Sequence, residues 1–254
     1  MSAQVELIAV EGVPEIGPGD RLGDLIATAL AARGVELAAG DVVAVAQKVV
    51  SKAEGRLRRL TEVEPGDRAR DLATRLGKDP RLVELVLGES VRVIRADRGV
   101  LIVETRSGWI CANAGIDASN VPGEDRVTLL PEDPDGSARG IRAELRTRTG
   151  LGPAVVIADS FGRPWRLGQT DVAIGCAGLA PFDDWRGRRD RYGRELAATI
   201  IAVADEVAAA ADLARRKDAG VPACLVRGLE RFVGEDDGPG AQVLRRPEAE
   251  DLFR

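Results

Sequence analysis

The chain has 254 residues and a formal net charge of −5, with a pI near 5.1. An acidic chain without a basic, aromatic-rich stretch is unsuited to nucleic acid, so we expect no such partner. The sequence contains no histidine, which excludes Ser-His-Asp and Cys-His catalysis and every histidine-ligated metal site. Any metal must therefore bind hard oxygen ligands, as Mg²⁺ and Mn²⁺ do.

The composition also bounds the setting of the protein. With 44% apolar and 30% charged residues, it is that of an ordinary folded globular protein. No run of about 18 uncharged apolar residues occurs, and the start lacks the pattern of a secretory signal. We therefore expect a cytoplasmic protein that does not contact a membrane. Three widely spaced cysteines lie in apolar runs and are predicted to be buried small hydrophobic residues: Cys111, Cys176 and Cys224.

Apolar runs and helical patterns alternate along the chain, which predicts a mixed α/β (α+β) fold. The predicted strands are residues 5–10, 41–46, 91–94, 100–103, 155–158 and 222–227, and the predicted helices are 20–33, 67–77, 80–87, 131–149 and 195–216. Asp20 is predicted to cap the first helix. Residues 1–234 are expected to form the folded domain, and 235–254 a linker or loosely held tail.

Several predicted strands end in polar or Gly-rich segments. Residues 11–19 contain two Pro and three Gly, which can hold backbone amides in fixed directions. Only four lysines occur, and two of them, Lys48 and Lys52, directly follow the strand 41–46. Because α/β proteins bind ligands where strands end, we predict that at least one lysine binds phosphate. Ordinary solvated lysines flanking two valines are the alternative.

A second strand end carries Asp117, Ser119 and Asn120. Asp117 and Asp159 both follow apolar segments and can converge on one cation. Taken alone, Asp117 and Asn120 are more typical of turns.

The segment 155–175 is predicted to be the centre of the site. A buried strand, 155–158, is followed by Asp159 and Ser160, and the Gly and Pro residues beyond predict a loop. The polar and aromatic residues of this predicted loop are Arg163, Trp165, Arg166, Gln169 and Asp171. Such a set suits an anionic, metal-bound ligand, although a surface loop with internal ion pairs is the alternative.

Six stretches together resemble one family, the coenzyme F420-0:L-glutamate ligases, or γ-glutamyl ligases. They are GVPEIGPGD, DVVAVAQKVVSKAEGR, AGIDASNVPG, VVIADSFGRPWRLGQTDVAIG, VADEVAAAADLA and VPACLVRG. These motifs occur in order and cover nearly the whole chain. The resemblance is closest to the ligase half of actinobacterial members, in which a flavin-reductase-like domain follows, and we expect this chain to represent that half alone.

The resemblance implies a fold of two subdomains, an intertwined homodimer, and a GTP-dependent ligase that joins L-glutamate to F420-0 with Mg²⁺ or Mn²⁺, and K⁺. It implies metal binding by Asp117, Asp159 and Ser160. The residues that it implies for the guanine nucleotide are Val13, Pro14, Glu15, Ile16, Gln47, Lys52, Asn120, Lys217, Asp218, Ala219, Gly220 and Val221. Family members carry Ser or Thr in place of Gln47, so the nucleotide contact at this position is expected to differ. Archaeal members carry an amide near Lys217, so the second metal site is expected to be weaker or differently built here.

The residues themselves suit this chemistry. A carboxylate is a poor electrophile, so amide formation needs phosphoryl activation, which depends on metal ions, cationic side chains and fixed N–H groups. We expect Asp117 and Asp159 to hold the metals and Lys52 to neutralise γ-phosphate charge. Arg163 and Arg166 are predicted to hold the acyl phosphate or the incoming glutamate. The alternatives are another phosphoryl-transfer enzyme, such as a phosphatase, or an inactive deazaflavin- or nucleotide-binding module.

Overall fold

The computed structural model describes residues 4–121, 123 and 125–251 and has a mixed α/β architecture, as predicted. Its strands are β1 (Glu6–Val10), β2 (Val42–Ala46), β3 (Leu57–Arg59), β4 (Ser90–Asp97), β5 (Val100–Thr105), β6 (Ile110–Ala112), β7 (Arg126–Thr128), β8 (Ala154–Arg163), β9 (Arg166–Ala177), β10 (Asp183–Asp184), β11 (Ile200–Ile201) and β12 (Ala223–Arg227). Its α-helices are α1 (Leu22–Ala32), α2 (Gln47–Ala53), α3 (Asp67–Leu76), α4 (Pro80–Gly88), α5 (Pro134–Thr149) and α6 (Val203–Arg215). Short 3-10 turns lie at Leu60–Glu62, Asn113–Gly115, Glu230–Phe232, Ala241–Leu244 and Glu248–Glu250.

A five-stranded sheet in the order β1-β12-β2-β8-β9 forms the centre of the molecule. β2 and β8 are parallel, and the other neighbouring pairs are antiparallel. Successive side chains point to opposite faces, so Val43 and Val155 pack with α1 and α5, whereas Val42 and Val156 pack with α6. Because helices cover both faces, β2 and β8 are nearly continuous apolar runs.

A second region has its own apolar core. β4, β5 and β6 form a three-stranded antiparallel sheet that packs with α3 and α4 around Leu101 and Val103. β3 and β7 pair in a separate two-stranded sheet, and Val127 of β7 belongs to this second core. The hairpin predicted at 91–103 is therefore confirmed, and it belongs to a core distinct from that of the central sheet.

The segment predicted to be a loop after residue 158 is a β-hairpin. β8 runs on to Arg163 and β9 begins at Arg166, which leaves only Pro164 and Trp165 between the strands. The loop prediction was wrong because Pro164 lies in the turn, where the missing N–H removes no ladder hydrogen bond. The hairpin therefore continues past Ala158, the last residue of β8 that pairs with β2.

Two helix predictions also change. The helix predicted at 195–216 begins only at Val203, because the preceding residues are extended and Ile200–Ile201 pairs with Asp183–Asp184 as a small ribbon. Asp20 does not cap α1: its carboxylate accepts a hydrogen bond from the backbone N–H of Gly17 at 2.7 Å. α1 begins after Arg21 without a side-chain cap.

The tail is docked rather than loosely held over residues 235–251. Asp135, in the first turn of α5, accepts hydrogen bonds from the backbone N–H groups of Ala241 at 2.7 Å and Cys176 at 2.8 Å. Arg142 of α5 pairs with Asp237 at 2.7 Å. Buried polar contacts thus fasten a segment whose composition resembles a linker, and residues 252–254 of that prediction lie outside the described part.

Two composition-based expectations can be compared with the structure. The three cysteines are unpaired and buried, as predicted, and burial raises the pKa of the Cys111 and Cys176 thiols to about 12. Over the described residues, no helix has both the length and the apolar character needed to cross a bilayer.

Candidate functional site

A cleft of about 510 Å³ lies where the parallel pairing of β2 and β8 ends. Ala46, the last residue of β2, is the register partner of Ala158, so the residues that follow β2 lie beside Asp159 and Ser160 of β8. The cleft is lined by residues 13–16, 46–49, 52, 117, 119–121, 158–160, 171, 212, 215–217 and 220–222. The structure therefore brings together Asp117, Asp159 and Lys52, which lie far apart in the sequence.

The lysine side of the cleft is built by α2, which starts directly at the end of β2. Lys48 and Lys52 are four residues apart and so lie on the same face of the helix, towards the cleft. The Lys52 side chain is largely buried, and its ammonium pairs with the exposed carboxylate of Glu15 at 2.6 Å. This arrangement presents positive charge beside the 13–16 loop.

Asp117 is held in place from both sides. Its backbone pairs with Thr128 of β7 through hydrogen bonds of 3.1 and 2.9 Å. Oδ2 accepts a hydrogen bond from Lys48 Nζ at 2.8 Å, and Oδ1 accepts one from the Ser119 backbone N–H at 2.7 Å. Burial raises the pKa of Asp117, but the hydrogen bonds from Lys48 and Ser119 outweigh it and hold the pKa below its usual value. Asp117 is therefore an anion at neutral pH.

Asp159 has the opposite electrostatic surroundings. Burial raises the pKa of Asp159 to about 7, and the carboxylates of Asp171 and Asp117 make a smaller contribution in the same direction. The hydrogen bond from the Ser160 backbone N–H lowers the pKa but does not outweigh burial. A carboxylate crowded by like charges in a partly buried site is the setting that a bound cation relieves.

The donor set fits a hard divalent cation shared with phosphate. Asp117 and Asp159 offer carboxylate oxygens and Ser160 offers a hydroxyl, all lining one cleft. Over the residues that the structure describes, no three carboxylate or cysteine side chains cluster tightly enough to hold a metal ion by themselves. Mg²⁺ usually binds one or two carboxylates and completes its coordination with water and substrate phosphates, which matches this set.

A buried ion pair lies behind Ser160. Ser160 of β8 and Asp171 of β9 are cross-strand partners, and the Ser160 hydroxyl donates to Asp171 Oδ1 at 2.6 Å. Asp171 Oδ2 accepts from the guanidinium of Arg215, the last residue of α6. Both charged residues are only 4% exposed, so the two groups compensate each other's charge almost without water.

The residues predicted for the nucleotide divide into two groups. Gln47 lines the cleft, but its Oε1 is already bound by the Ser51 hydroxyl at 2.9 Å. Asn120 donates to the backbone oxygen of Lys217 at 3.4 Å and so joins two loops. The predicted residues that line the cleft are Val13, Pro14, Glu15, Ile16, Gln47, Lys52, Asn120, Lys217, Gly220 and Val221. Asp218 and Ala219 belong to the same loop but do not line the cleft.

Arg163 and Arg166 are not brought to the cleft of their own chain. They are partners at the far end of the hairpin, where Arg163 donates to the backbone oxygen of Leu167 at 2.9 Å. The strand extension that overturned the loop prediction moves them away from Asp159, so their predicted contact with substrate has no support from the geometry of a single chain.

No sequence signal singled out Arg215, which follows an alanine-rich helix among other arginines. Lys48 is one of the two lysines of which at least one is predicted to bind phosphate, and Asp171 is among the polar residues of the predicted loop. Neither of them was assigned a specific role. The proximity of Asp171 to Arg215 is a product of the tertiary fold.

The chain matches a protein-family model described as F420-0:Gamma-glutamyl ligase over residues 12–228. Curated relatives named Coenzyme F420:L-glutamate ligase match it nearly from end to end. The protein from Methanothermobacter thermautotrophicus is 49% identical over 98% of this chain and 99% of its own length. Those from Methanopyrus kandleri and Archaeoglobus fulgidus are 46% and 44% identical, over 97% and 99% of this chain and 98% and 97% of their own lengths. The chain therefore belongs to the F420-0:gamma-glutamyl ligase family.

Proposed function

We propose that this protein is a GTP-dependent ligase that joins L-glutamate to the side-chain carboxylate of coenzyme F420-0 through an acyl-phosphate intermediate. The observation that carries the proposal is the convergence of Asp117, Asp159 and Lys52 on one cleft, in a chain of this family. Carboxylates for a metal ion beside a lysine for phosphate are what phosphoryl transfer requires.

In this proposal the F420-0 carboxylate attacks the γ-phosphorus of GTP, and GDP leaves. The amine of glutamate then attacks the acyl carbonyl, inorganic phosphate leaves, and the nitrogen loses a proton as the amide forms. Asp117, Asp159 and Ser160 would hold Mg²⁺ or Mn²⁺, which supplies charge neutralisation on the phosphate oxygens. Lys52 would exchange Glu15 for a γ-phosphate oxygen, since Glu15 is exposed enough to move.

The nucleotide would lie between the 13–16 and 216–222 loops. Both loops line the cleft, and Asn120 joins the second loop to the Asp117 segment. Requirements for K⁺ and for a divalent ion, Mg²⁺ or Mn²⁺, are further parts of the proposal, and both requirements are tested by omission from the assay below.

We extend the proposal to a homodimer formed through the hairpin tip. Trp165 is 82% exposed and Leu167 is 99% exposed, and adjacent large apolar side chains at such exposure favour a protein contact. A second copy seated there would give Arg163 and Arg166 a site to act on. Light scattering of the wild type and of the double variant Trp165→Ser, Leu167→Ser is expected to show a dimer and a monomer, and a monomeric wild type would contradict this extension.

Mass spectrometry tests the ligase directly. F420-0 is incubated with the protein, L-glutamate, GTP, Mn²⁺ and K⁺, and each component is omitted in turn. We expect products heavier by whole glutamyl units that vanish without GTP or metal, and their masses count the glutamates added. GTP hydrolysis that does not depend on glutamate would indicate a phosphatase instead. Bound GTP without any product would indicate an inactive module.

A further inference from the structure

The buried pair Asp171–Arg215 joins the two halves of the cleft. On one side, Asp171 receives the hydroxyl hydrogen of Ser160, which neighbours Asp159 on β8. On the other side, Arg215 ends α6 and is followed at once by residues 216–222, the loop that lines the nucleotide side of the cleft. One ion pair therefore connects the carboxylate end of the hairpin to the base of this loop.

The hydrogen-bond direction gives the pair a chemical role. Because Ser160 donates its proton to Asp171, the lone pairs of its oxygen are left to accept or to coordinate a cation. Both oxygens of Asp171 are already engaged, one by Ser160 and one by Arg215. Asp171 is also only 4% exposed, whereas the side chain of Asp117 is 45% exposed, so we assign Asp171 a role through Ser160.

Fold stability alone does not account for this pair. α6 already packs on the sheet through Val207, Ala208 and Ala211, and Asp205 of α6 accepts from the Ala173 N–H at 2.9 Å. Arg215 buries its Nε without a hydrogen-bond partner in the part of the chain that the structure describes. A buried unpaired donor destabilises a fold, and exceptions of this kind concentrate at functional sites.

The loop beyond Arg215 is anchored at its other end as well. The backbone oxygen of Pro222 accepts a hydrogen bond from the Ala46 N–H at 2.9 Å, at the end of β2. Arg216 adopts a positive φ of 52°, unusual for a residue with a Cβ, so the chain turns sharply as it leaves the pair. The position of residues 216–222 thus depends on where Arg215 is held.

We infer that Asp171 and Arg215 are positioning residues that orient the Ser160 hydroxyl towards a divalent cation and fix the 216–222 loop for the nucleotide. The inference rests on the proposed function, which places a divalent cation beside Ser160 and the nucleotide beside the 216–222 loop. It adds that the two binding sites are coupled: a change at Asp171 or at Arg215 weakens the binding of both the cation and the nucleotide.

The test uses Asp171→Asn, Arg215→Gln and the conservative Arg215→Lys. Mn²⁺ affinity without nucleotide is measured from the electron paramagnetic resonance signal of free Mn²⁺, and nucleotide affinity from a fluorescent GTP analogue. Mutation of a residue that orients a metal ligand typically lowers the metal affinity by about 10–100-fold. We expect Asp171→Asn to lower the Mn²⁺ affinity by about this factor. Arg215→Gln should weaken both ligands, and Arg215→Lys should recover part of each loss.

Asp41→Asn is the matched control. Asp41 is buried and forms a two-point ion pair with Arg227, both contacts at 2.9 Å, at the opposite end of β2 from the cleft. Asp41→Asn should lower the melting temperature, as Asp171→Asn does, because both remove a partner of a buried ion pair. It should change the affinities for Mn²⁺ and for the GTP analogue by less than about twofold, because mutations at distant sites have nearly independent effects.

Wild-type affinities in folded Asp171→Asn, or equal losses in Asp41→Asn, would overturn the inference. If Asp171→Asn does not fold, Arg215→Gln decides, and unchanged binding of both ligands in that variant would contradict the inference. A wild type that forms glutamyl product while Asp171→Asn binds normally refutes the positioning role alone. A wild type that binds both ligands and forms no product refutes the proposed function alone.

Discussion

The two ends of the β8–β9 hairpin carry similar polar residues in opposite surroundings. At the base, Asp171 is 4% exposed and is engaged by Ser160 and Arg215. At the tip, the polar residues Arg166 and Gln169 are exposed, beside Trp165 and Leu167, which are 82% and 99% exposed. The difference arises because α6 packs against β9 and ends at Arg215 beside the base, whereas most residues of the tip are exposed. Residue type alone therefore does not show which part of such a segment belongs to a site.

The largest expected effect is at the base of the hairpin. Asp159→Asn removes a carboxylate charge proposed to hold a catalytic metal ion, so turnover should fall by about 10² or more. Timed mass spectrometry of the glutamyl product measures it. Asp184→Asn is the control, because Asp184 is exposed and pairs with the neighbouring Arg186 at 2.6 Å. Near-normal turnover in Asp159→Asn would remove Asp159 from the metal site.

The next effect tests the lysine side of the same cleft. Lys52→Met keeps most of the apolar stem and removes the ammonium, so the KM for GTP should rise by about tenfold, the worth of one charged hydrogen bond. Steady-state kinetics with varied GTP measure the change. Lys78→Met, outside the cleft-lining set, should leave KM unchanged. An unaltered KM for GTP in Lys52→Met would show that Lys52 has a structural role and does not bind the nucleotide.

The tip provides the contrasting test, with a smaller effect. Arg163→Ala should raise the KM for glutamate if the tip reaches the cleft of a second copy. Mixed dimers of Arg163→Ala and Asp159→Asn should then recover the wild-type KM for glutamate, because one of the two clefts receives both intact residues. A KM that stays raised in verified mixed dimers would show that the tip does not act across subunits. An unchanged KM would place Arg163 outside the site.

The smallest expected effect is on the pH dependence of stability, through the hydrogen bond between Asp205 of α6 and the Ala173 N–H near the base of the hairpin. Burial raises the pKa of Asp205, whose carboxylate accepts from the Ala173 N–H of β9. The folded state therefore binds this proton more tightly than the unfolded state, in which the pKa is about 3.9. Across the interval between these two pKa values, the free energy of unfolding falls as the pH rises, and the stabilisation is fully present only below the unfolded pKa.

Asp205→Asn removes this titration while keeping an oxygen acceptor for Ala173. Its free energy of unfolding should therefore decline less with rising pH than that of the wild type, as measured by urea unfolding at a series of pH values. Asp67→Asn, an exposed position in the first turn of α3, should follow the wild type. Equal pH slopes for wild type and Asp205→Asn would show that Asp205 titrates normally.

Much of the architecture could be predicted from local patterns. The runs 41–46 and 155–158 are apolar throughout because helices cover both faces of β2 and β8, and the polar residues after them mark the edge where the cleft forms. The motifs around Asp117 and Asp159 identified the family, since their combination and order are specific. These features are local in the chain, and local signals are what a single sequence contains.

Other features depended on contacts between distant segments. The docking of residues 235–251 on Asp135 and the pairing of Asp171 with Arg215 join residues far apart in the chain. The extension of β8 to Arg163 depends on its pairing with β9, the next strand of the hairpin. Strand pairing overrode the Gly and Pro signals, and buried hydrogen bonds fastened a segment of linker composition. The sequence thus determined the strands, the two carboxylates and the family, whereas long-range packing decided which charged residues reach the cleft, because the burial and pairing of a charge depend on its neighbours in space.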